Sequence, residues 1–278
     1  MTNAITEPPV PEPVEPTDSL VRLEATPEGV ATVRINRPHR RNAFDAPTIA
    51  ALKEAFETLQ GAEGVRIVFL RGEGEFFCAG ADLDWMRMAA DWTEADNRDD
   101  AMELASMLKA LADIPALTVA LVDGAAFGGG AGLVAACDMA VAVAGAKFAF
   151  SEVKLGLTPA TISPYVVNAI GPRAAKALFA TGRVFDAAHA ERIGLVDEVA
   201  ADAAGLDAAA ERLAAEIAAA APGAVADAKR LVWDVWGRPV DHALMDDTAR
   251  RIAQRRTSPE GQEGVRAFLG KRKPNWAL

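Results

Sequence analysis

Three consecutive glycines between a predicted strand and a predicted helix constrain this chain more than any other feature. Residues 117–122 form an apolar run typical of a buried strand, and residues 133–136 begin a predicted buried helix. Between them lies Asp-Gly-Ala-Ala-Phe-Gly-Gly-Gly-Ala-Gly at 123–132. Glycine loses more backbone freedom on folding than other residues, so this run indicates backbone that approaches another group closely. The first N–H groups of the following helix lack helical partners and attract negative charge.

A second loop has the same character. Phe-Phe-Cys-Ala-Gly-Ala-Asp-Leu at 76–83 also follows a predicted strand and precedes a predicted helix. Two such loops can hold two N–H groups against one oxygen atom, which is the arrangement of an oxyanion hole. For the triple glycine taken alone, a tight turn without a ligand is the alternative. The run is not a G-x-G-x-x-G motif, and no Lys-Ser or Lys-Thr pair follows it as in a P-loop.

Composition excludes several classes of protein. The chain has 278 residues, 51% of them hydrophobic, and a formal net charge of −10, which disfavours general binding to nucleic acids. No apolar run reaches the roughly 18 residues of a membrane span, and the N-terminus lacks a signal-peptide pattern. Cys78 and Cys137 do not suggest a disulfide scaffold and fit a reducing cytoplasm. The three histidines (39, 189 and 242) show no metal-ligand spacing, so we expect no metal site.

The order of predicted elements favours an α/β fold. Residues 1–18 contain five prolines and four acidic residues, which predicts a disordered tail. Repeated ββα units follow over 19–200, and because both glycine-containing loops lie within this range we expect it to form the catalytic domain. Nearly everything in 201–278 has a helical pattern, and we expect this region to mediate oligomerisation.

Four motifs in order carry a more specific signal. They are Phe-Cys-Ala-Gly-Ala-Asp-Leu at 77–83, Asp-Gly-Ala-Ala-Phe-Gly-Gly-Gly at 123–130, Ala-Cys-Asp at 136–138 and Phe-Ser-Glu-Val-Lys-Leu-Gly-Leu at 150–157. Together with Ala-Phe-Leu-Gly-Lys-Arg-Lys-Pro near the C-terminus, this series resembles the crotonase, or enoyl-CoA hydratase/isomerase, superfamily. The resemblance implies a crotonase-like spiral of ββα units with a helical C-terminal region. It also implies a homotrimer or a dimer of trimers.

The resemblance implies roles for particular residues. The two oxyanion amides of the superfamily match the backbone N–H groups of Ala81 and Gly129, which would hold the thioester oxygen of an acyl-CoA. One catalytic glutamate matches Glu152. The other matches Gly132, so this chain departs from the two-glutamate pattern of common hydratases and keeps one carboxylate.

A single carboxylate leaves three functions open. The leading one is addition of water to a 2-enoyl-CoA, with Glu152 as acid and base. A Δ3,Δ2-enoyl-CoA isomerase could use the same glutamate, and a catalytically weak acyl-CoA-binding or assembly subunit is the third. No Gly-x-Ser-x-Gly elbow is present, which disfavours a serine hydrolase.

The sequence around the departure favours a branched substrate. Ser-Glu-Val-Lys-Leu-Gly-Leu-Thr-Pro-Ala-Thr-Ile-Ser-Pro-Tyr-Val at 151–166 is similar to bacterial methylglutaconyl-CoA and isohexenylglutaconyl-CoA hydratases, which act in leucine and acyclic-terpene degradation. Glycine at 132 would avoid a carboxylate that repels the second carboxylate of such substrates. We also expect it to leave room for a β-methyl branch.

Coenzyme A is polyanionic, so an acidic protein needs local cations to bind it. The resemblance assigns Arg40 and Arg41 to the adenine and phosphate side, and Phe268 and Lys271 to a segment that closes on CoA, often from a neighbouring subunit. Further contacts are implied for Ala79, Asp82, Leu83, Gly128 and Gly132. Solvated surface charge is the alternative for the basic residues. Asp82 should also cap the following helix, Asp138 should be structural, and no cofactor besides the CoA of the substrate is expected.

Overall fold

The computed structural model describes residues 19–277, so the predicted tail at 1–18 lies outside the described residues. The strands are β1 (Val21–Ala25), β2 (Val30–Ile35), β3 (Ile67–Gly72), β4 (Leu117–Val122), β5 (Ala125–Phe127), β6 (Met139–Val143), β7 (Lys147–Ala149), β8 (Phe185–Asp186) and β9 (Glu198–Ala200). The helices are α1 (Ala46–Gly61), α2 (Leu83–Ala89), α3 (Glu94–Ala112), α4 (Gly129–Ala136), α5 (Ser163–Thr181), α6 (Ala187–Ile193), α7 (Ala203–Ala218), α8 (Pro222–Val235), α9 (His242–Thr257) and α10 (Pro259–Leu269). Short 3-10 turns cover Pro38–Arg40 and Glu152–Leu155.

A six-stranded sheet in the order β1-β2-β3-β4-β6-β9 forms the centre of the fold. β1 pairs with β2 in antiparallel register, and the remaining pairs are parallel. Strands covered on both faces read as continuous apolar runs, and the first four residues of β3 are all buried. Because β3 and β4 are parallel neighbours, the loops that follow them leave the same edge of the sheet. This edge carries both glycine-containing loops.

A second sheet contains three short strands in the order β5-β7-β8, which the sequence pattern does not predict. Its strands have two or three residues each, which is too short for an alternating pattern to be recognised. β5 pairs in parallel with β7, so that Phe127 lies opposite Ala149. This small sheet brings the glycine run next to the segment that begins with Glu152.

After Ala200 the described chain contains helices only. α7 belongs with the sheet, because its buried Leu206, Ala209 and Leu213 pack in the main core. By contrast, α8 has no buried residue, α9 has only Leu244 and α10 has only Ala267. The last three helices therefore expose apolar side chains within this chain.

One lysine of α8 contacts the segments that lead into β4 and β6. Lys229 Nζ donates to the carbonyl oxygens of Ile114 and Ala116, each at 2.6 Å, and lies 2.6 Å from the Asp138 carboxylate. The same carboxylate accepts from the backbone N–H and hydroxyl of Thr118. Asp138 is therefore structural, as expected.

Across residues 19–277, no helix combines the length and the apolar character that crossing a membrane requires.

Candidate active site

The two glycine-containing loops are joined by a short parallel β-bridge between Cys78 and Ala126. The Cys78 N–H donates to the Ala125 carbonyl at 2.9 Å, and the Phe127 N–H donates to the Cys78 carbonyl at 3.0 Å. Three residues further along each segment lie Ala81 and Gly129. A Cβ added to Gly80 would stand 3.0 Å from the Phe127 carbonyl oxygen and 4.0 Å from Gly128 Cα, so the two segments are still adjacent just before Ala81 and Gly129.

The N–H groups of Ala81 and Gly129 form no hydrogen bond with any acceptor in residues 19–277. Gly129 is the first residue of α4, so its N–H also carries the positive end of the helix dipole. Ala81 is exposed, and its neighbour Asp82 donates its own N–H to the Phe44 carbonyl at 2.7 Å. Two unpaired donors on adjacent segments fit the oxyanion arrangement that the sequence predicts.

Gly128 makes room for the carboxylate. Its φ of 50° lies in the left-handed region, and a Cβ added there would stand 3.3 Å from Glu152 Oε1. Its N–H donates to the Ala149 carbonyl at 2.9 Å, which ties the glycine run to the strand before Glu152. The carboxylate therefore lies against the turn that leads into α4.

The other two glycines of the run meet other parts of the loops. A Cβ on Gly129 would be 2.9 Å from Cε2 of Phe44, and one on Gly130 would be 2.6 Å from the Cys78 carbonyl oxygen. Cys78 itself is fully buried, and burial raises the pKa of its thiol to about 12. The thiol packs against the backbone of the glycine run, and its raised pKa disfavours the thiolate form that a nucleophile needs.

Glu152 combines partial burial with an unpaired oxygen. It opens the 3-10 turn after β7, and its Oε2 is buried with no hydrogen-bond donor among the described residues. Burial raises the pKa of the carboxyl above its ordinary value, and a hydrogen bond from its own backbone N–H offsets this only in part. A carboxylate that gains a proton more readily than usual suits the transfer of protons near neutral pH.

The space beside Gly132 is not open. A Cβ at this position would be 2.3 Å from Cγ2 and 2.8 Å from Cβ of Ile162, whose side chain is buried. The expectation that Gly132 leaves room for a β-methyl branch is therefore wrong, because Ile162 from the start of α5 fills that volume. Gly132 lies one turn beyond Gly128 on α4, so an apolar wall stands one helical turn from the carboxylate.

A buried arginine, missed by sequence reasoning, supports the 77–83 loop. Arg37 contacts Asp45 at 2.8 Å and Asp82 at 3.2 Å, and also donates to the Ala43 carbonyl. Asp82 is buried and caps α2 by accepting the Asp84 N–H at 2.8 Å. Its carboxylate is thus committed to the loop itself, which confirms the predicted cap.

The pKa of Asp82 is lowered, because hydrogen bonds and nearby arginines outweigh the effect of burial. Burial alone would raise it, yet the N–H groups of Asp84 and Trp85 and the guanidinium groups of Arg37 and Arg40 together hold it below its ordinary value. The ionised form therefore persists in the fold and keeps the loop in place.

Buried Asn42 completes this support. Its side chain donates to the carbonyls of Glu73 and Phe76 and accepts the Arg37 N–H at 2.9 Å. Its φ of 55° is a conformation that asparagine tolerates better than most residues. Apolar periodicity could not find Arg37 or Asn42, because both are polar residues in a loop.

The structure brings four predicted CoA contacts to this region. Arg40 pairs with Asp84 at 3.0 Å, and the Arg41 guanidinium lies 5.1 Å from the centre of the Phe76 ring. The Ala79 N–H donates to the Arg41 carbonyl at 3.0 Å. Leu83 is exposed at the start of α2 beside them. The basic loop therefore lies against the loop that carries Ala81.

No hydrogen bond or ion pair among the described residues joins Phe268 or Lys271 to the glycine-containing loops of their own chain. The C-terminal segment is held by Arg66, which donates to the Trp276 carbonyl at 2.7 Å. Arg66 precedes β3, whereas the glycine-containing loops follow β3 and β4, so a whole strand separates the two regions. Phe268 is 81% exposed. The end of the C-terminal segment, at Trp276, therefore lies near the start of β3, whereas the glycine-containing loops follow the ends of β3 and β4.

Comparison with known proteins identifies the family and the fold. The sequence profile of the family described as Enoyl-CoA hydratase/isomerase matches residues 25–277. The chain belongs to this family. A crystal structure of an enoyl-CoA hydratase from Shewanella pealeana superimposes with a TM-score of 0.89 at 39% identity, covering 93% of this chain and 96% of the other. The predicted crotonase-like α/β fold is confirmed.

Curated relatives of the family extend the comparison. The enoyl-CoA hydratase AKT6-1 of Alternaria alternata is 33% identical over 247 residues, which cover 88% of this chain and 80% of that protein. The mitochondrial methylglutaconyl-CoA hydratase of Mus musculus is 31% identical over 265 residues, covering 91% and 81%. This chain is accordingly an enzyme of the enoyl-CoA hydratase/isomerase family, whose substrates are acyl-CoA thioesters.

Proposed function

We propose that this protein adds water reversibly across the 2,3 double bond of an enoyl-CoA thioester. The observation that carries the proposal is a buried, unpaired carboxylate oxygen of Glu152 beside the free N–H groups of Ala81 and Gly129. This pairing provides a proton-transfer group and a place for negative charge on a carbonyl oxygen. Both are needed for chemistry at the carbons next to a thioester.

The reaction follows from these groups. Glu152 takes a proton from water while the water oxygen forms a bond to Cβ of the enoyl group. The π electrons of the double bond move toward the thioester, and the resulting enolate oxygen accepts hydrogen bonds from Ala81 and Gly129. The enolate then collapses, and Glu152 returns the proton to Cα. The product is a 3-hydroxyacyl-CoA, and the enzyme is unchanged.

We further propose a branched, acidic substrate such as 3-methylglutaconyl-CoA, which is an intermediate of leucine degradation. The support is chemical, because a site with one carboxylate repels a second carboxylate on the substrate less than a site with two. The 31% identical mouse relative named methylglutaconyl-CoA hydratase agrees with this proposal. Space beside Gly132 does not support it, since Ile162 occupies that volume.

The single carboxylate also fits a Δ3,Δ2-enoyl-CoA isomerase. In that reaction Glu152 would move a proton from C2 to C4 of a 3-enoyl-CoA through the same enolate, and no water would add. A subunit that only binds acyl-CoA is the remaining alternative. Glu152 opposes it, because a pure binder has no use for a carboxylate beside an enolate site.

A substrate screen separates the three functions. Absorbance of the conjugated enoyl thioester is followed with crotonyl-CoA, 3-methylglutaconyl-CoA and a 3-enoyl-CoA, using the wild type and Glu152→Gln. We expect the absorbance of 3-methylglutaconyl-CoA to fall fastest and the variant to be inactive. A clear preference for crotonyl-CoA would contradict the branched substrate. A rise in absorbance from the 3-enoyl-CoA alone would favour the isomerase, and binding without turnover of any ester would favour the binder.

We also propose a trimer or a dimer of trimers that works in the cytoplasm. The exposed apolar side chains of α8–α10 support association, and the position of Lys271 supports a contribution to a neighbouring subunit's site. CoA would enter as part of the substrate, with Arg40 and Arg41 near its phosphates.

A further inference from the structure

Phe44 touches both segments that carry the proposed oxyanion amides. Its backbone N–H donates to the Gly80 carbonyl at 2.7 Å, and its carbonyl accepts the Asp82 N–H at 2.7 Å. Its ring lies against Gly129, where a Cβ would come within 2.9 Å of Cε2 and 3.1 Å of Cδ2. The side chain is 1% exposed. Phe44 is also the partner of Ala81 in a short parallel β-bridge, so one residue contacts both amide segments.

The backbone bonds of Phe44 fix the direction of the first amide. The Gly80 carbonyl and the Ala81 N–H belong to one planar trans peptide unit and point in opposite directions. Because Phe44 holds the Gly80 carbonyl on its own side, the Ala81 N–H must face away from Phe44. The bond from Asp82 to Phe44 fixes the next peptide unit as well.

The ring of Phe44 fixes the position of the second amide. Gly129 has no side chain, so the ring edge rests directly on its backbone at the first residue of α4. The ring is rigid and fully packed, and packed interiors transmit small displacements. A change in the ring therefore moves the start of α4 relative to Ala81.

From these contacts we infer that Phe44 is a positioning residue which sets the spacing and direction of the two amides, an inference that rests on the proposed function. The proposed role of Phe44 involves no contact with the substrate. Its effect is on how well the two N–H groups meet one oxygen atom. A misplacement of about 1 Å can lower a rate by roughly a hundredfold, so a small shift is enough to matter.

The test compares Phe44→Leu with the matched control Phe56→Leu. Phe56 lies on α1, is equally buried and contacts neither amide segment through any bond described above. Both changes remove the same ring atoms from the core, so both should lower the melting temperature. We expect kcat of Phe44→Leu to fall by roughly 10- to 100-fold with KM within about twofold, while Phe56→Leu keeps the wild-type kcat.

A spectroscopic signal distinguishes misplacement of the two amides from a general loss of stability of the fold. Acetoacetyl-CoA gives an ultraviolet-absorbing enolate when an oxyanion site stabilises it, so its bound absorbance reports the paired amides directly. We expect this enolate signal to weaken in Phe44→Leu, with unchanged affinity for saturated butyryl-CoA. Phe44→Met, which preserves core volume better, keeps the test valid if the leucine variant unfolds.

Different results would contradict the proposed function and the positioning role of Phe44. A wild type that neither turns over any enoyl-CoA nor produces the enolate signal would contradict the proposed function. A wild type that does both, with Phe44→Leu or Phe44→Met retaining full kcat and enolate absorbance, would overturn the role of Phe44 alone.

Discussion

At Glu152, burial favours the neutral carboxyl, whereas the proposed reaction needs the ionised one. Its raised pKa means that the folded protein binds the proton more tightly than the unfolded chain does. The corresponding contribution to stability is fully present below the ordinary pKa of 4.5 and is lost as pH rises through the raised value. The ionised carboxylate that the reaction needs is thus held at a cost in folding free energy.

Glu152→Gln should therefore separate activity from stability. We expect turnover to be lost and the melting temperature at pH 7 to exceed that of the wild type, because glutamine cannot ionise. The difference should shrink as pH falls toward 4 and the wild-type carboxyl becomes protonated. Differential scanning calorimetry across this range measures the effect, with exposed Glu211→Gln as the control. A variant that melts below the wild type at pH 7 would contradict this account.

Gly132→Ala should reveal the contact with Ile162. Alanine favours helices over glycine by up to about 1 kcal/mol, but overpacking a core costs about 1–3 kcal/mol. With the new Cβ 2.3 Å from Ile162 Cγ2, we expect the steric cost to exceed the helix preference. Ile162→Ala removes that Cγ2, so the double variant should lose less stability than the sum of both single variants. Strictly additive free energies from urea unfolding would rule out the contact.

Among structural elements, the Arg37 network decides whether the 77–83 loop keeps its shape. Arg37→Met leaves the buried Asp82 charge without its partner, which typically costs about 3–5 kcal/mol. Arg71 offers a matched control, because its partner Asp207 is largely exposed. We expect Arg71→Met to cost less than about 1 kcal/mol. Denaturant unfolding of both variants measures the difference, and equal losses would show that the buried network is not special.

Sequence reasoning succeeded for elements with long apolar patterns and failed for short ones. Apolar periodicity predicts a strand at 117–122 and a helix at about 95–112, and these coincide with β4 and, within one residue, with α3. The same pattern predicts two helices at about 162–170 and 172–180, which together form α5, interrupted at Gly171 with a φ of 73°. The small sheet of β5, β7 and β8 was missed because pairing of two or three residues depends on distant partners.

The candidate site was predicted in part for the same reason. Motifs along the chain identify Ala81, Gly129 and Glu152, because each lies within a recognisable local pattern. Phe44 and Ile162 come from separate loops and reach the glycine run only through the fold. Their contacts depend on packing between segments far apart in sequence, which no local pattern encodes.

For the whole molecule, the separation of Lys271 from its own chain's loops has a measurable consequence. We predict that Lys271 contributes to CoA binding in the site of another subunit. We expect Lys271→Ala to weaken binding of CoA esters without lowering the melting temperature, since the residue is exposed. Unchanged affinity in titration calorimetry would remove Lys271 from any site.

Mixed oligomers test where Lys271 acts. Lys271→Ala and Glu152→Gln chains are refolded together and assayed at low substrate concentration. If the lysine serves a neighbour, some sites receive an intact Glu152 from one chain and an intact Lys271 from the other. Activity should then exceed the average of the two parents. Activity equal to that average would mean that both residues act within one chain.

The fit between Gly132 and Ile162 also restricts the order in which the two positions can change. A larger residue at 132 is tolerated only after the side chain at 162 has become smaller, whereas the reverse order passes through an overpacked core. Any route from this site to one with two carboxylates therefore begins at the start of α5, at a residue that takes no part in the chemistry. The contact between Ile162 and Gly132 is thus a steric barrier to adding a second carboxylate to the proposed site.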